Sequence, residues 1–219
     1  MELRELIRRF RVEAHDKVEP YFIENEDVIA WLNDAVNEAS IRGRLIYENN
    51  ASITVQTGKS VFSIPKSIYE ISRIWFQPVD GSKEVSLKLL SAGELDRIYC
   101  DNWASLEGSP CYATQSDNKI RIVPAPNVDG VIKLEGYRAP LNPMASLSDE
   151  PEINPIHAPL LIQWVLHKAF AVVDAEFFDQ QRSSLAEQAF TDYFGIRPDS
   201  DLRRITREDV QHHVQPFMP

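Results

Sequence analysis

Side chains able to support catalysis or bind a metal are few and poorly spaced in this sequence. His157 and His167 lie ten residues apart in a segment with helical periodicity, so about 15 Å of helix rise separates them, too far for one metal ion. Glu94 and Asp96 are two residues apart, and such side chains do not face each other on a helix. We therefore expect hydrogen-bonded histidines and solvated carboxylates, and no metal.

The backbone motifs of phosphate and nucleophile sites are also missing. The eight glycines form neither GxxxxGK[ST] nor GxGxxG, and GxSxG, HExxH and the EF-hand loop do not occur. Cys100 and Cys111 lack CxxC spacing and are expected to be plain thiols. We expect no cofactor and no enzymatic activity. The alternative is an enzyme whose site assembles in the β-rich middle from Asp101, Glu107 or Tyr112.

Composition places the chain in the globular class. It has 219 residues, 43% of them hydrophobic and 26% charged, enough for a sizeable core. The formal net charge of -10 repels phosphate and disfavours a sequence-reading DNA-binding domain. No apolar run reaches the roughly 18 residues of a membrane span, and the first 16 residues are charged throughout. We expect synthesis in the cytoplasm and no membrane partner.

Both ends of the chain have helical periodicity. Apolar residues at three- and four-residue spacing predict helices over 2–18 and 26–47, the second capped by Asn25. Four prolines between 140 and 155 predict an extended linker. A helix is then expected from Ile156, followed by another over 177–193. The predicted buried stripe of the helix that begins at Ile156 is Leu161, Trp164, Val165, Ala169, Val172 and Val173.

The middle of the chain alternates with the period of strands. Residues 52–57 and 60–65 flank Gly58-Lys59 and predict a hairpin. Further short strands are expected at 69–76, 85–89, 111–114, 119–123 and 130–137, with helical turns at 92–98. These runs predict a small antiparallel sheet or sandwich.

The predicted fold class is therefore α+β: a helical bundle formed by the N- and C-terminal helices, with an inserted antiparallel β domain and an extended C-terminal tail. The expected segments are a helical pair (1–50), a β-rich insertion (51–140), a proline-rich linker (141–155), C-terminal helices (156–198) and the tail (199–219).

Among the tryptophans, Trp103 alone lies in a segment without helix or strand periodicity. Core packing explains Trp31, Trp75 and Trp164, which lie in predicted helices or strands. Trp103 is the candidate for an exposed anchor at a protein interface, where tryptophan is enriched among energetically dominant contacts.

Two segments carry a family resemblance. The N-terminal LIRRFRVEAHD followed by EDVIAWLNDAVNEAS, with Asp27, Trp31, Asn33, Ala35 and Glu38 in register, resembles the first helical pair of head-to-tail adaptor (connector) proteins of tailed bacteriophages. Residues 153–195, with a proline-marked start, the core WVLHKA and a final helix ending in Phe-Gly, resemble the family's returning segment. The β-rich middle matches only by its place in the order.

This resemblance implies a structural virion protein at the head–tail junction. It implies a homo-oligomeric ring, of twelve copies in that family, that docks beneath the portal, continues the DNA channel and attaches a tail or nozzle protein. Genomic DNA would pass through without specific binding. The resemblance also implies that the C-terminal tail engages the portal, through the apolar and basic residues Leu202, Arg203, Arg204, Ile205, Arg207, Val210, Val214, Phe217 and Met218. The alternative within this class is another neck or tail component with a different ring symmetry.

Overall fold

Helices and strands both occur in the computed structural model, which describes residues 1–100, 102–172 and 177–198. The helices within these ranges are α1 (Leu3–Ala14), α2 (Asn25–Gly43), α3 (Ala92–Tyr99), α4 (Leu161–Phe170) and α5 (Gln180–Phe194). The strands are β1 (Tyr47–Val55), β2 (Val61–Ser63), β3 (Ile68–Pro78), β4 (Val85–Ser86), β5 (Lys88–Leu89), β6 (Glu107–Gly108), β7 (Tyr112–Gln115), β8 (Lys119–Val123), β9 (Ala125–Pro126) and β10 (Gly130–Arg138). The predicted α+β class is confirmed.

The helical unit comprises residues Met1–Tyr47 and Arg138–Arg197. Helices α1, α2, α4 and α5 pack around one apolar core, because each carries apolar residues at three- and four-residue spacing. Leu6, Leu32, Val165 and Phe190 are completely buried there.

The proline-rich segment of this unit is packed against its helices. Asn33 of α2 donates a side-chain hydrogen bond to the Met144 carbonyl (3.0 Å), and its side-chain oxygen accepts one from the Met144 N–H (2.8 Å). The N–H groups of Leu3 and Arg4 donate to the carbonyls of Asp149 and Leu147. These bonds satisfy donors at the start of α1 that have no partner within the helix.

Helices α1 and α2 are shorter than the sequence predicts. Helix α1 ends at Ala14 because His15 adopts a left-handed conformation (φ 63°), and Arg44 does the same (φ 51°) after α2. Residue 47, expected in the second helix, begins β1. The N-cap of α2 is Glu24, and the predicted cap Asn25 is the first helical residue. Its side chain accepts a hydrogen bond from Arg11 (2.8 Å).

The β unit, residues 48–137, contains two four-stranded sheets with a shared core. One sheet has the order β1-β10-β3-β4 and the other β2-β8-β7-β5, while β6 pairs with β9. The β2–β8, β7–β8 and β3–β4 pairs are antiparallel, and β5–β7 and β6–β9 are parallel. Ile74 and Ile132 of the first sheet and Ile120 and Ile122 of the second belong to one buried cluster.

The predicted hairpin over 52–57 and 60–65 is wrong. The turn exists, with Gly58 at φ 77°, but β1 pairs with β10 and β2 pairs with β8 in the opposite sheet. Val55 and Phe62 are both buried in the shared core. The turn therefore carries the chain from one sheet to the other, which local alternation does not distinguish from a hairpin.

Candidate functional site

Trp103 lies on a short 3-10 turn, Trp103–Ser105, after α3. Its indole N–H donates to Asp96 Oδ1 at 2.6 Å, and the ring packs beside the buried cluster of Leu90, Leu95 and Val123. The Arg121 guanidinium lies 5.5 Å from the ring centroid. The ring is half-buried and held in one orientation, with part of its surface open. Its role as an interface anchor stays a prediction.

The two carboxylates of α3 have structural roles. Ser91 and Glu94 form a capping box at the start of the helix. The backbone and side-chain hydrogen bonds from Ser91 lower the pKa of Glu94, which keeps this carboxylate ionised at the helix N-terminus. Asp96 fixes the indole of Trp103.

The histidines of the C-terminal helices are hydrogen bonded, as predicted. His157 Nδ1 lies 3.1 Å from the Tyr193 hydroxyl, and His167 Nδ1 lies 3.0 Å from the Ser183 hydroxyl. Both pairs join α5 to the α4 segment. Over the described ranges, no group of three or more His, Cys, Asp or Glu side chains has the geometry to hold a metal ion.

In the part of the chain that the structure describes, the residues named for the enzyme alternative do not form a catalytic site. Asp101 lies outside the described residues. Glu107 is exposed on β6, while Tyr112 of β7 packs edge-on against Tyr99, with ring centroids 6.0 Å apart. Cys100 and Cys111 are free and exposed. Among the described residues, no helix is long and apolar enough to span a bilayer.

The predicted docking tail, 199–219, lies outside the described residues, so the positions of its nine named side chains are not described. The last described residues lie near α2. Arg197 lies on α2, with its guanidinium 3.6 Å from Glu38, and Ile196 is 82% exposed. The described part of the chain therefore ends with Arg197 in contact with α2.

A pocket beside α2 was not foreseen from the sequence. This Trp31 hollow has a volume of about 290 Å³ and an apolar lining, formed by Phe22, Ile23, Trp31, Ala169, Val172 and Phe177. Among its described lining residues, Asp27 is the one that carries a charge. Val172, predicted to be buried, is 43% exposed at the wall of this hollow, and Phe22 is 65% exposed. Val173, also expected in the buried stripe, lies outside the described residues.

The spacing of three acidic residues and Trp31 in α2 is the sequence signal that could have indicated the Trp31 hollow. Asp27, Trp31, Asp34 and Glu38 follow each other at intervals of four, three and four residues, which places them in one line along a helix. We call these four residues the acidic line. The prediction for α2 followed the apolar residues of its buried side and did not consider the spacing of these four residues.

The fold and these surfaces belong to a phage structural adaptor protein, a virion component that associates with portal and tail proteins. Residues 1–213 match the family model described as SU10 adaptor protein, and because this match covers nearly the whole chain, the chain belongs to that family of phage head–tail adaptors. The resemblance seen in the two helical ends is thereby confirmed. No curated protein matches the chain.

Proposed function

We propose that this chain is the connector between the portal and the tail: a homo-oligomeric ring, of twelve copies by family resemblance, that docks beneath the portal and continues the DNA channel. The observation that carries the proposal is the extent of the family match, which runs from residue 1 to 213. It therefore includes most of the tail as well as the helices.

The charge of the chain supports a channel that does not grip DNA. A net charge of -10 per subunit presents like charge to passing phosphates, and a ring multiplies it. DNA in such a channel meets repulsion at short range, within the Debye length of about 8 Å at physiological salt. Genomic DNA then passes without specific binding.

The same proposal assigns a role to each segment of the chain. The N- and C-terminal helices (1–50 and 156–198) form the bundle, joined through the proline-rich segment (141–155) to the β insertion (51–140). The open part of Trp103 on this insertion contacts a neighbouring protein. A tail or nozzle protein binds below the ring.

The tail engages the portal. Its arginines, Arg203, Arg204 and Arg207, supply charge-assisted hydrogen bonds, and its apolar residues supply buried anchors, a combination suited to a segment that orders on binding. The apolar anchors are Leu202, Ile205, Val210, Val214, Phe217 and Met218.

Deleting residues 200–219 is expected to abolish binding to the portal and to leave the helical fold intact. The reason is that, among the described residues, Phe194 is the last that contributes to the helical core. Co-sedimentation with assembled portal measures binding, and far-ultraviolet circular dichroism measures helix content. A full-length chain with His212→Ala and His213→Ala is the matched control and is expected to bind normally. Undiminished portal affinity of the deletion variant would refute the role of the tail.

A further inference from the structure

A pocket beside α1 is lined by cations and by exposed apolar side chains. It has a volume of about 430 Å³, and its cations are Arg4, Arg8, Arg11 and Lys17. We call it the Arg11 pocket. Among its described lining residues none is acidic, although the formal net charge of the chain is -10. Val12 and Leu147 of its lining are 39% and 56% exposed. Such a surface suits a partner that is both acidic and apolar.

The cations of the Arg11 pocket are only partly neutralised within the chain. The side chains of Arg4 and Arg8 are 64% and 63% exposed, and ion pairs at such exposure are weak. No described ion pair involves Lys17, which is also exposed. The pairs that the arginines form are Arg4–Glu2, Arg8–Glu5 and Arg11–Asp16. None of the other acidic residues close in sequence lines the pocket: Glu13, Glu19, Glu24, Glu26, Asp149 and Glu150.

Arg11 is the buried cation of this pocket, at 6% exposure. Its two terminal nitrogens donate to Asp16 and Asn25, and its Nε has no hydrogen-bond acceptor among the described residues. A buried donor without an acceptor is uncommon and costs free energy. The pocket is therefore one acceptor short, which points to an acidic occupant that the single chain does not supply.

The complementary chemistry lies on α2. Asp27 and Asp34 of the acidic line are exposed, and no described ion pair involves either of them. Glu38 of the same line is already paired with two arginines. Beside the line, the Trp31 hollow exposes 65% of Phe22 and 43% of Val172, and no lysine or arginine is among its described lining residues. This surface is thus acidic and apolar, as the Arg11 pocket requires.

The Arg11 pocket and the Trp31 hollow lie on opposite flanks of α2. Asn25 lines the pocket and Asp27 lines the hollow, and positions two residues apart point about 200° apart around a helix. The pocket is otherwise formed largely by α1, whereas Ala169 of α4 belongs to the hollow. One subunit cannot bring the two surfaces together, but two copies can, in a head-to-tail contact of the kind that generates rings.

The spacing of the charges also fits. Asp27 and Asp34 are seven residues apart, which is about 10 Å along α2. Arg4 and Arg11 of α1 are seven residues apart as well, with Arg8 between them. Two carboxylates of one copy can therefore meet two cations of another at the same time.

We propose that the Arg11 pocket of one copy receives the acidic line of a second copy of this chain. Asp27 and Asp34 pair with the cations of the pocket, and the apolar residues around the Trp31 hollow pack on Val12 and Leu147. The proposal rests on the proposed function, since it assigns the contact between neighbouring subunits of the ring.

Charge reversal on each surface tests this contact. One variant carries Asp27→Lys and Asp34→Lys, and the other carries Arg8→Glu and Lys17→Glu; all four residues are exposed, and the buried Arg11 is kept. Each variant alone places like charges on both sides of the contact, so the concentration that half-saturates assembled portal is expected to rise at least about tenfold. An equimolar mixture restores opposite charges at every contact of an alternating ring and should return to within about threefold of the unmodified chain.

Matched controls make the same changes of charge elsewhere. Glu187→Lys with Asp192→Lys on α5, and Lys66→Glu with Arg97→Glu in the β unit, alter exposed residues outside both surfaces. Each should change the half-saturating concentration by less than about twofold. Circular dichroism at 222 nm reports whether each chain is folded, and recovery on mixing requires two folded chains.

A neutral variant replaces a reversed chain that does not fold. Asp27→Asn with Asp34→Asn removes the charges without reversing them and is expected to raise the half-saturating concentration about threefold. Variants that half-saturate portal at the same concentration as the unmodified chain, or a mixture that binds no better than its components, would overturn the contact and leave the connector role intact.

Failure of the connector role gives a different result. If the unmodified chain adds no mass to portal, the connector proposal fails, and the contact is measured in the free chain by sedimentation velocity at low salt. There the mixture is expected to associate at least about tenfold more tightly than either reversed variant alone. Equal association of the mixture and its components would overturn the contact as well.

Discussion

Replacing Asp16 with alanine is expected to lower the free energy of unfolding of the helical unit by about 3–5 kcal/mol. Asp16 is 2% exposed and Arg11 is 6% exposed, and the two side chains form a buried ion pair. The aspartate also accepts hydrogen bonds from the N–H groups of Phe22 (3.1 Å) and Ile23 (3.4 Å). Its loss leaves a buried guanidinium and two backbone donors without their acceptor, which costs more than the pair itself contributes.

This pair determines the path of the chain between the first two helices. Arg11 also donates to Asn25 at 2.8 Å and lies over the Tyr21 ring, 4.0 Å from its centroid. One guanidinium thus joins α1, the connecting loop and the start of α2. The same loop carries Phe22 and Ile23 into the Trp31 hollow.

Urea unfolding followed by circular dichroism at 222 nm measures the effect of Asp16→Ala. Glu13→Ala is the control, because Glu13 is exposed on the same helix, and we expect it to change the free energy of unfolding by less than about 0.5 kcal/mol. If Asp16→Ala and Glu13→Ala unfold at the same urea concentration, the buried pair does not support the loop.

Replacing Gly136 with alanine is expected to destabilise the β unit by about 3 kcal/mol, the upper end of the range for overpacking a core. A Cβ at this position of β10 would lie 2.1 Å from the Glu70 carbonyl oxygen and 3.0 Å from the Ile71 Cα. Both atoms belong to the backbone of β3, so no side chain can turn away. The strands would have to separate or shift.

Thermal unfolding followed by near-ultraviolet circular dichroism, which responds to Trp75 of β3, measures this change. Gly93→Ala in α3 is a matched control, since its Cβ would meet no atom within 4 Å. It is expected to stabilise the chain by about 0.5–1 kcal/mol, because alanine is favoured over glycine in a helix. An unchanged melting temperature for Gly136→Ala would show that the two strands are not as close as described.

Local periodicity predicted most elements of the fold but not their pairing. The alternation of 119–123 and 130–137 was enough to find β8 and β10, because one face of each is buried. The partner of β1 was predicted wrongly, since a two-residue turn with glycine is compatible with a hairpin and with a step between sheets. The observed pairing of β1 with β10 and of β2 with β8 decides between them.

The helix ends were missed for a related reason. His15 and Arg44 adopt left-handed backbone conformations. Glycine and asparagine favour this conformation, so a histidine or an arginine does not predict that a helix ends there. The side chains that fix the chain after α1, Arg11, Asp16 and Asn25, are spread over fourteen residues of sequence. Hydrophobic periodicity along the sequence does not predict such contacts.

The role of the tail as an interaction surface stays a prediction. The apolar and basic residues after 200 stood out because nothing nearby in the sequence offered them a partner. The Trp31 hollow did not, because Val172 follows the same periodicity as the buried residues Val165 and Ala169. Helix α4 ends at Phe170, so Val172 lies beyond the helix and is 43% exposed.

The mass of the chain with and without its portal tests the connector role most directly. Native mass spectrometry, or mass photometry, of portal saturated with the 25.0 kDa chain is expected to show a gain of about 300 kDa, the mass of a closed ring of twelve copies. A gain corresponding to six copies would instead indicate another neck or tail component, and no gain at all would contradict the proposal that this chain docks beneath the portal.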